Sequence, residues 1–137
     1  PLLVSFIPML MDTGGNCGSQ SSTLIIRGIA LGEIRFSDLF RVMFKEFRVS
    51  LIVGVVLALA NGLRILIMYR NAGLALVIGL SLVATVIISK LIGCLLPLFA
   101  KKLHMDPAIM ASPLITTLVD TCSILIYFNI ATRIFQL

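Results

Sequence analysis

Charge is what this chain has least of. Only 12% of its 137 residues are charged, against about 25% in a soluble domain. Apolar residues make up 59%, and the mean hydropathy is +1.12. So few charges cannot cover a globular surface, which argues against a soluble enzyme or a nucleic-acid module. Cysteine is also scarce. Cys17, Cys94 and Cys122 lie far apart with no C-x-x-C pair, and zinc or redox chemistry needs clustered ligands. They read as small apolar fillers. His104 is the only histidine and lies in a charged stretch, so it reads as a solvated side chain. No basic run precedes Pro1-Leu2-Leu3-Val4, so no secretory leader is expected. The chain is expected to begin inside or just before a membrane span, as part of a longer protein.

The net charge of +5 does not point to nucleic acid, because the basic residues sit at the wrong places. Five of the 11 fall between Arg27 and Arg48, beside or between apolar runs. That is the pattern of juxtamembrane charge. The length fits one domain and, at roughly 20–30 residues per span with its loop, about four or five membrane helices.

The first apolar stretch covers residues 1–30, with a polar, glycine-rich middle from Asp12 to Thr23. Irregular backbone at membrane depth is tolerated only where protein buries it or water reaches it, so a helix is the simpler reading. Gly14, Gly18 and Ser22 recur at intervals of four and make a stripe for close helix packing. Asp12, Asn16 and Gln20 recur in the same way and make a polar stripe. Residues 36–48 place Phe36, Leu39, Phe40, Met43, Phe44 and Phe47 at helical spacing, with Asp38, Arg41, Lys45 and Arg48 opposite. This reads as an amphipathic interfacial segment or as the wet first turns of the next span.

Further spans are expected over residues 49–68, 74–98 and 108–131. The second carries Gly54, Ala58 and Gly62 at intervals of four. Asp106 is expected to cap the fourth, with Pro107 in its first turn. Arg27, Arg35, Arg41, Lys45, Arg48, Lys101 and Lys102 fall on one side, and Arg64, Arg70 and Arg133 on the other. The positive-inside bias puts the larger group in the cytoplasm. The fold class is thus an all-α membrane protein with four transmembrane helices and an interfacial segment.

An ionisable side chain within a span is costly unless paired or wet, and is a functional candidate by default. Asp120 lies three turns past Ala108, roughly 18 Å in at about 1.5 Å per residue, near the middle of a core about 30 Å thick. Ser112, Thr116 and Asp120 stand one above another, a plausible lining for a cation path. Asn16 is expected at the same depth. Asp12 lies nearer the outer mouth, as an entry vestibule or a helix-packing hydrogen bond. Two other readings of Asp120 stay open: a salt bridge to Lys90, the basic residue deep in a span, or a protonated structural carboxyl. Lys90 itself is expected to snorkel or pair. Carboxylate, amide and hydroxyl oxygens are hard ligands, so soft metals are disfavoured. Mg²⁺ dehydrates reluctantly, and a wide polar pore with few carboxylates would suit it hydrated. A symmetric dimer would bring two Asp120 side chains to one axis. Spacing alone fixes neither the ion nor the dimer.

The run from Pro8 to Gln20, which contains Gly14-Gly15-Asn16-Cys17-Gly18-Ser19-Gln20, resembles the P-x(5)-G-G-N-x-G-x-Q signature of the MgtE family of magnesium channels. Asp106-Pro107-Ala108 and the run Ser112 to Asp120 are similar to that family's last membrane helix. The resemblance implies a homodimeric channel in the cell membrane with five helices per subunit, of which this chain holds the second to fifth. Residues 1–137 would form a single transmembrane pore domain. The path at the dimer axis would be lined by the first and last helices of this chain. Asp120 would contact hydrated Mg²⁺, the transported ion. Asn16, Gly14, Gly15, Gly18, Gln20, Thr116, Ser112 and Asp12 would line the path. The partners implied are a second copy, the lipid bilayer and magnesium ion, with no nucleic acid and no enzymatic activity. The family's first membrane helix and its cytosolic N-terminal and paired CBS domains have no counterpart in these residues, and Lys90 has no assigned place in the pattern. The competing functions are a secondary transporter coupling through Asp120 to a proton or Na⁺, and a membrane assembly subunit whose stripes only pack.

Overall fold

A computed structural model describes residues 2–106 and 112–135. Its regular structure is helical throughout these residues: α1 (Leu2–Ser5), α2 (Ile7–Ala30), α3 (Leu39–Tyr69), α4 (Ala72–Lys102) and α5 (Ser112–Phe135), with one 3₁₀ turn over Phe36–Asp38. Among the described residues three helices are long and apolar enough to cross a membrane: Leu39–Tyr69, Ala72–Lys102 and Leu114–Phe135. With 24 residues, α2 is about 36 Å long and is set apart from the other three by its polar middle. The expected start of the last span at Ala108, with Pro107 in its first turn, lies outside the described residues.

The amphipathic segment and the second span are one object, because nothing between Leu39 and Tyr69 interrupts the helix. No proline falls in that stretch, so the i to i−4 ladder continues through Gly54 and Gly62. Before it, the chain reverses at Gly32, whose φ of 75° is one that glycine adopts at no steric cost. The amides of Glu33 and Ile34 donate to the Gly28 carbonyl at 2.9 and 3.1 Å. The Ile34 side chain then folds over Gly28. At the far end of α3, Arg70 takes a left-handed φ of 50°. The side chain of Asn71 then accepts a bond from the Leu74 amide at 3.1 Å and starts α4.

Helix α4 is the centre of the bundle and packs on α2, α3 and α5, while α2 also packs on α5. The small residues of α3 explain how closely it approaches α4. Cβ atoms at Gly54 and Gly62 would meet the Val83 backbone at 3.2 Å and the Ala75 carbonyl at 3.9 Å, and Ala58 faces Gly79. The expected stripe Gly54-Ala58-Gly62 is therefore the antiparallel seam between α3 and α4. The opposite face of α3 exposes Ile52, Val56, Leu59, Leu63 and Ile67, an apolar surface suited to lipid.

The interior has two apolar ends. One gathers Phe6, Leu10, Ile65, Leu74, Val77, Ile78, Leu82, Tyr127 and Ala131. The other gathers Ile25, Ile29, Cys94 and Leu98, with Ile34, Leu39, Val42 and Met43 around them. Cys17, Cys94 and Cys122 are free, the first two buried. Between the two apolar ends lies a layer of small and polar residues, and the candidate site is built there.

Candidate functional site

Helix α2 has two unlike faces at mid-length. Gly14, Gly15, Cys17, Gly18, Ser21 and Ser22 are buried, whereas Asp12, Asn16, Gln20 and Thr23 are exposed. The split follows from spacing: residues four apart stack on one face of a helix. The small face fits its neighbours without room to spare. A Cβ at Gly14 would come within 2.8 Å of Thr85 and Val119, and one at Gly18 within 2.8 Å of Ile115. Gly15 is looser, with Thr116 at 3.5 Å.

These contacts set the register between α2 and α5. Gly14 and Gly18 both approach Val119, the residue before Asp120. Asp120 and Thr116 are both half-buried. Ser112 opens α5, but its side chain lies outside the described residues. Asn16, Ser19, Gln20, Thr23, Leu24 and Lys90 line a cavity of about 550 Å³. Among the described residues no three His, Cys, Asp or Glu side chains cluster as a metal cage would require. The polar side chains are therefore spread along one wall rather than gathered into a cage.

Lys90 does not pair with Asp120. Its ammonium is buried between α2, α3 and α4, 3.8 Å from Glu46 Oε2, and it donates to Ser21 Oγ at 3.4 Å. The Ser21 hydroxyl in turn donates to Glu46 Oε2 at 2.8 Å. Lys90 is only 6% exposed and Glu46 only 8%. Removing one partner of such a pair costs about 3–5 kcal/mol, because the other charge is left buried and unpaired. Lys90 pairs, one of the two outcomes expected of it, but with a partner the sequence reading did not single out. A signal was present: Glu46, Ser50, Gly54, Ala58 and Gly62 fall at intervals of four, so the carboxylate lies on the row that seats α3 against α4. The Phe40 and Phe44 side chains on the other side of that helix are 82% and 63% exposed. Arg41, Lys45 and Arg48 are also exposed, so Glu46 alone among the charges of this turn is drawn inward.

Charged residues also gather toward one end of the bundle. Arg27, Glu33, Lys45 and Glu46 line one cavity with Gly28 and Ile34. Lys101 and Asp106 meet the end of α2 at Ile26, Ile29 and Ala30. At the opposite end the Phe6 and Tyr69 rings meet edge to face at 5.9 Å.

A sequence model of the MgtE family, described as divalent cation transporter, matches residues 7–130. The magnesium transporter MgtE of Bacillus subtilis is 42% identical over 130 residues, covering 95% of this chain and 29% of the relative. That of Thermus thermophilus is 38% identical over 136 residues, covering 98% and 30%. That of Enterococcus faecalis is 35% identical, covering 96% and 29%. The chain thus spans about 30% of the length of the curated relatives it matches. The family is one of transporters rather than enzymes, and the three long apolar helices are those of a multi-pass integral membrane protein. The glycine-rich helix, its polar face and the carboxylate beside it all lie within the matched residues, and the chain belongs to the MgtE family of divalent cation transporters.

Proposed function

We propose that this chain is the membrane pore of a Mg²⁺ channel, formed by two copies and lying in the cell membrane. In this reading α2, α3, α4 and α5 each cross the bilayer, and residues 1–137 act as one pore domain. The path for hydrated Mg²⁺ runs between the α2 and α5 helices of the two copies. Asp120 contacts the ion's water shell, with Asn16, Gly14, Gly15, Gly18, Gln20, Thr116, Ser112 and Asp12 along the wall. The end bearing Arg27, Arg41, Lys45, Lys101 and Lys102 faces the cytoplasm.

One observation carries this reading. Asp12, Asn16, Gln20 and Thr23 are exposed along a helix whose other face is buried in the bundle. Each polar group facing hydrocarbon costs several kcal/mol, so such a row needs water or a second protein surface. A two-fold axis beside it supplies both. It also doubles the carboxylate charge, because each copy brings its own Asp120. The membrane potential, worth about 2.3 kcal/mol per charge per 100 mV, then drives a divalent ion inward without a second gradient.

The test is Mg²⁺ uptake into liposomes by the wild type, Asp120→Ala and Asn16→Ala. The channel reading expects uptake to follow the imposed potential, and expects Asp120→Ala to lower it by about tenfold or more, equivalent to roughly 1.4 kcal/mol per decade. Wild-type uptake by Asp120→Ala defeats it. Dependence on a proton or Na⁺ gradient would instead favour secondary transport through Asp120. Unchanged flux in Asp120→Asn is the outcome expected of an assembly subunit.

A further inference from the structure

Lys90 is a charged residue buried in the bundle. It forms part of the wall of the cavity that Asn16, Gln20 and Thr23 line. A bare positive charge there would repel any cation in that cavity. The same ammonium touches Glu46 and Ser21, and Glu46 lines the neighbouring cavity toward the end of the bundle with Arg27, Glu33 and Lys45. The Lys90–Glu46 pair therefore joins two open hollows, with Lys90 on the wall of one and Glu46 on that of the other. Among the described residues Glu46 is the one carboxylate within ion-pair distance of Lys90, and the third member, Ser21, is neutral.

We propose that Glu46 and Lys90 act as positioning residues for the ion: their balanced pair sets the electrostatic potential of the cavity beside Asn16 and Gln20, and with it the apparent affinity for the divalent cation. This rests on the channel reading. Neither residue touches the ion. Glu46 acts through Lys90, and Lys90 acts across the cavity. Neutralising Glu46 leaves an uncompensated ammonium on the wall and weakens cation occupancy. Neutralising Lys90 leaves an uncompensated carboxylate and strengthens it. The two single changes thus act in opposite directions, whereas two changes that merely loosened the bundle would act in the same one.

The test measures the Mg²⁺ concentration for half-maximal uptake in Glu46→Gln, Lys90→Met and the double variant. Glu46→Gln is expected to raise it and Lys90→Met to lower it, each by about 3- to 20-fold, as for a divalent ion roughly 10 Å from one unit charge in a wet cavity. The double variant is expected to return to within about twofold of the wild type, because the two unit charges that act on the ion are removed together. Shifts of the same sign in both single variants, or no shift in either, overturn the proposal. Should a single variant fail to fold, Thr23→Asp and Thr23→Lys place either charge on the same exposed wall without unpairing a buried group. Opposite shifts in these two support the cavity's potential as the control, and equal or absent shifts overturn it. The two readings fail separately. Asp120→Ala at wild-type uptake defeats the channel. Loss of uptake in Asp120→Ala together with same-sign shifts in Glu46→Gln and Lys90→Met defeats only the role of the pair.

Discussion

A Cβ built on Gly93 of α4 would fall against the carbonyl oxygen of Gly18 of α2, so the two helices meet there backbone to backbone. The obstacle is main chain, which cannot rotate away as a side chain would. The Ser21 side chain also stands within 3.1 Å of the same point. Gly93→Ala must therefore push α2 away from α4, and α2 carries the exposed polar row. Overpacking of this kind costs about 1–3 kcal/mol. The expected result is a lower midpoint of thermal unfolding in detergent. Gly62→Ala is the contrast, since its Cβ would meet only the Ala75 carbonyl at 3.9 Å. Replacing glycine within a helix then stabilises by roughly 0.5–1 kcal/mol, and its midpoint should be unchanged or higher.

Gly14 and Gly15 are neighbours in sequence but differ in what surrounds them. A methyl at Gly14 enters a contact already at 2.8 Å from both Thr85 and Val119, whereas one at Gly15 finds Thr116 at an ordinary 3.5 Å. Gly14→Ala is expected to lose stability, and Gly15→Ala to fold with a wild-type unfolding midpoint. If both variants unfold alike, the packing of α2 on α5 described above is wrong. Because Gly15→Ala keeps the bundle intact, its Mg²⁺ uptake reports on the path beside Thr116 rather than on folding.

Much of this arrangement was legible in the sequence, because it depends on one helix at a time. Helical spacing alone separates Gly14, Gly18 and Ser22 from Asp12, Asn16 and Gln20, and the two sets do lie on buried and exposed faces. The stripe Gly54-Ala58-Gly62 marks the α3 seam for the same reason. The partner of Lys90 was not legible. Glu46 lies 44 positions away on another helix, and the rotation of α3 that turns it inward is set by how Gly54 seats on Val83. Periodicity places a residue on a face but does not say which helix that face meets. Asp120, the acidic alternative offered by depth, is not the partner, because Lys90 points to the α3 side of α4. The continuity of α3 from Leu39 was left open by the sequence for a related reason. Its first turns carry both the exposed Phe40 and the exposed Arg41, so an interfacial helix and a wet helix end read alike.

Asp12 and Asp120 should respond differently to salt. Asp12 is exposed, one turn before Asn16 on the polar row, whereas Asp120 is half-buried. If the path runs as proposed, Asp12 acts at the outer mouth by raising the local concentration of cations. That long-range attraction is screened over about 10 Å at 0.1 M ionic strength and about 3 Å at 1 M. Asp12→Asn is therefore expected to slow Mg²⁺ uptake about two- to fivefold at low ionic strength, as for one steering charge. The deficit should largely vanish as a monovalent salt is raised toward 1 M, about where the screening length falls to a few ångströms. Asp120→Asn should stay impaired at both extremes, because a carboxylate that meets the ion's water shell acts at a range salt does not screen. Uptake measured across a salt series in liposomes separates the two. A deficit in Asp12→Asn that persists unchanged at high salt would place Asp12 in direct contact with the passing ion and move the narrow part of the path outward along α2, from the level of Asn16 to that of Asp12.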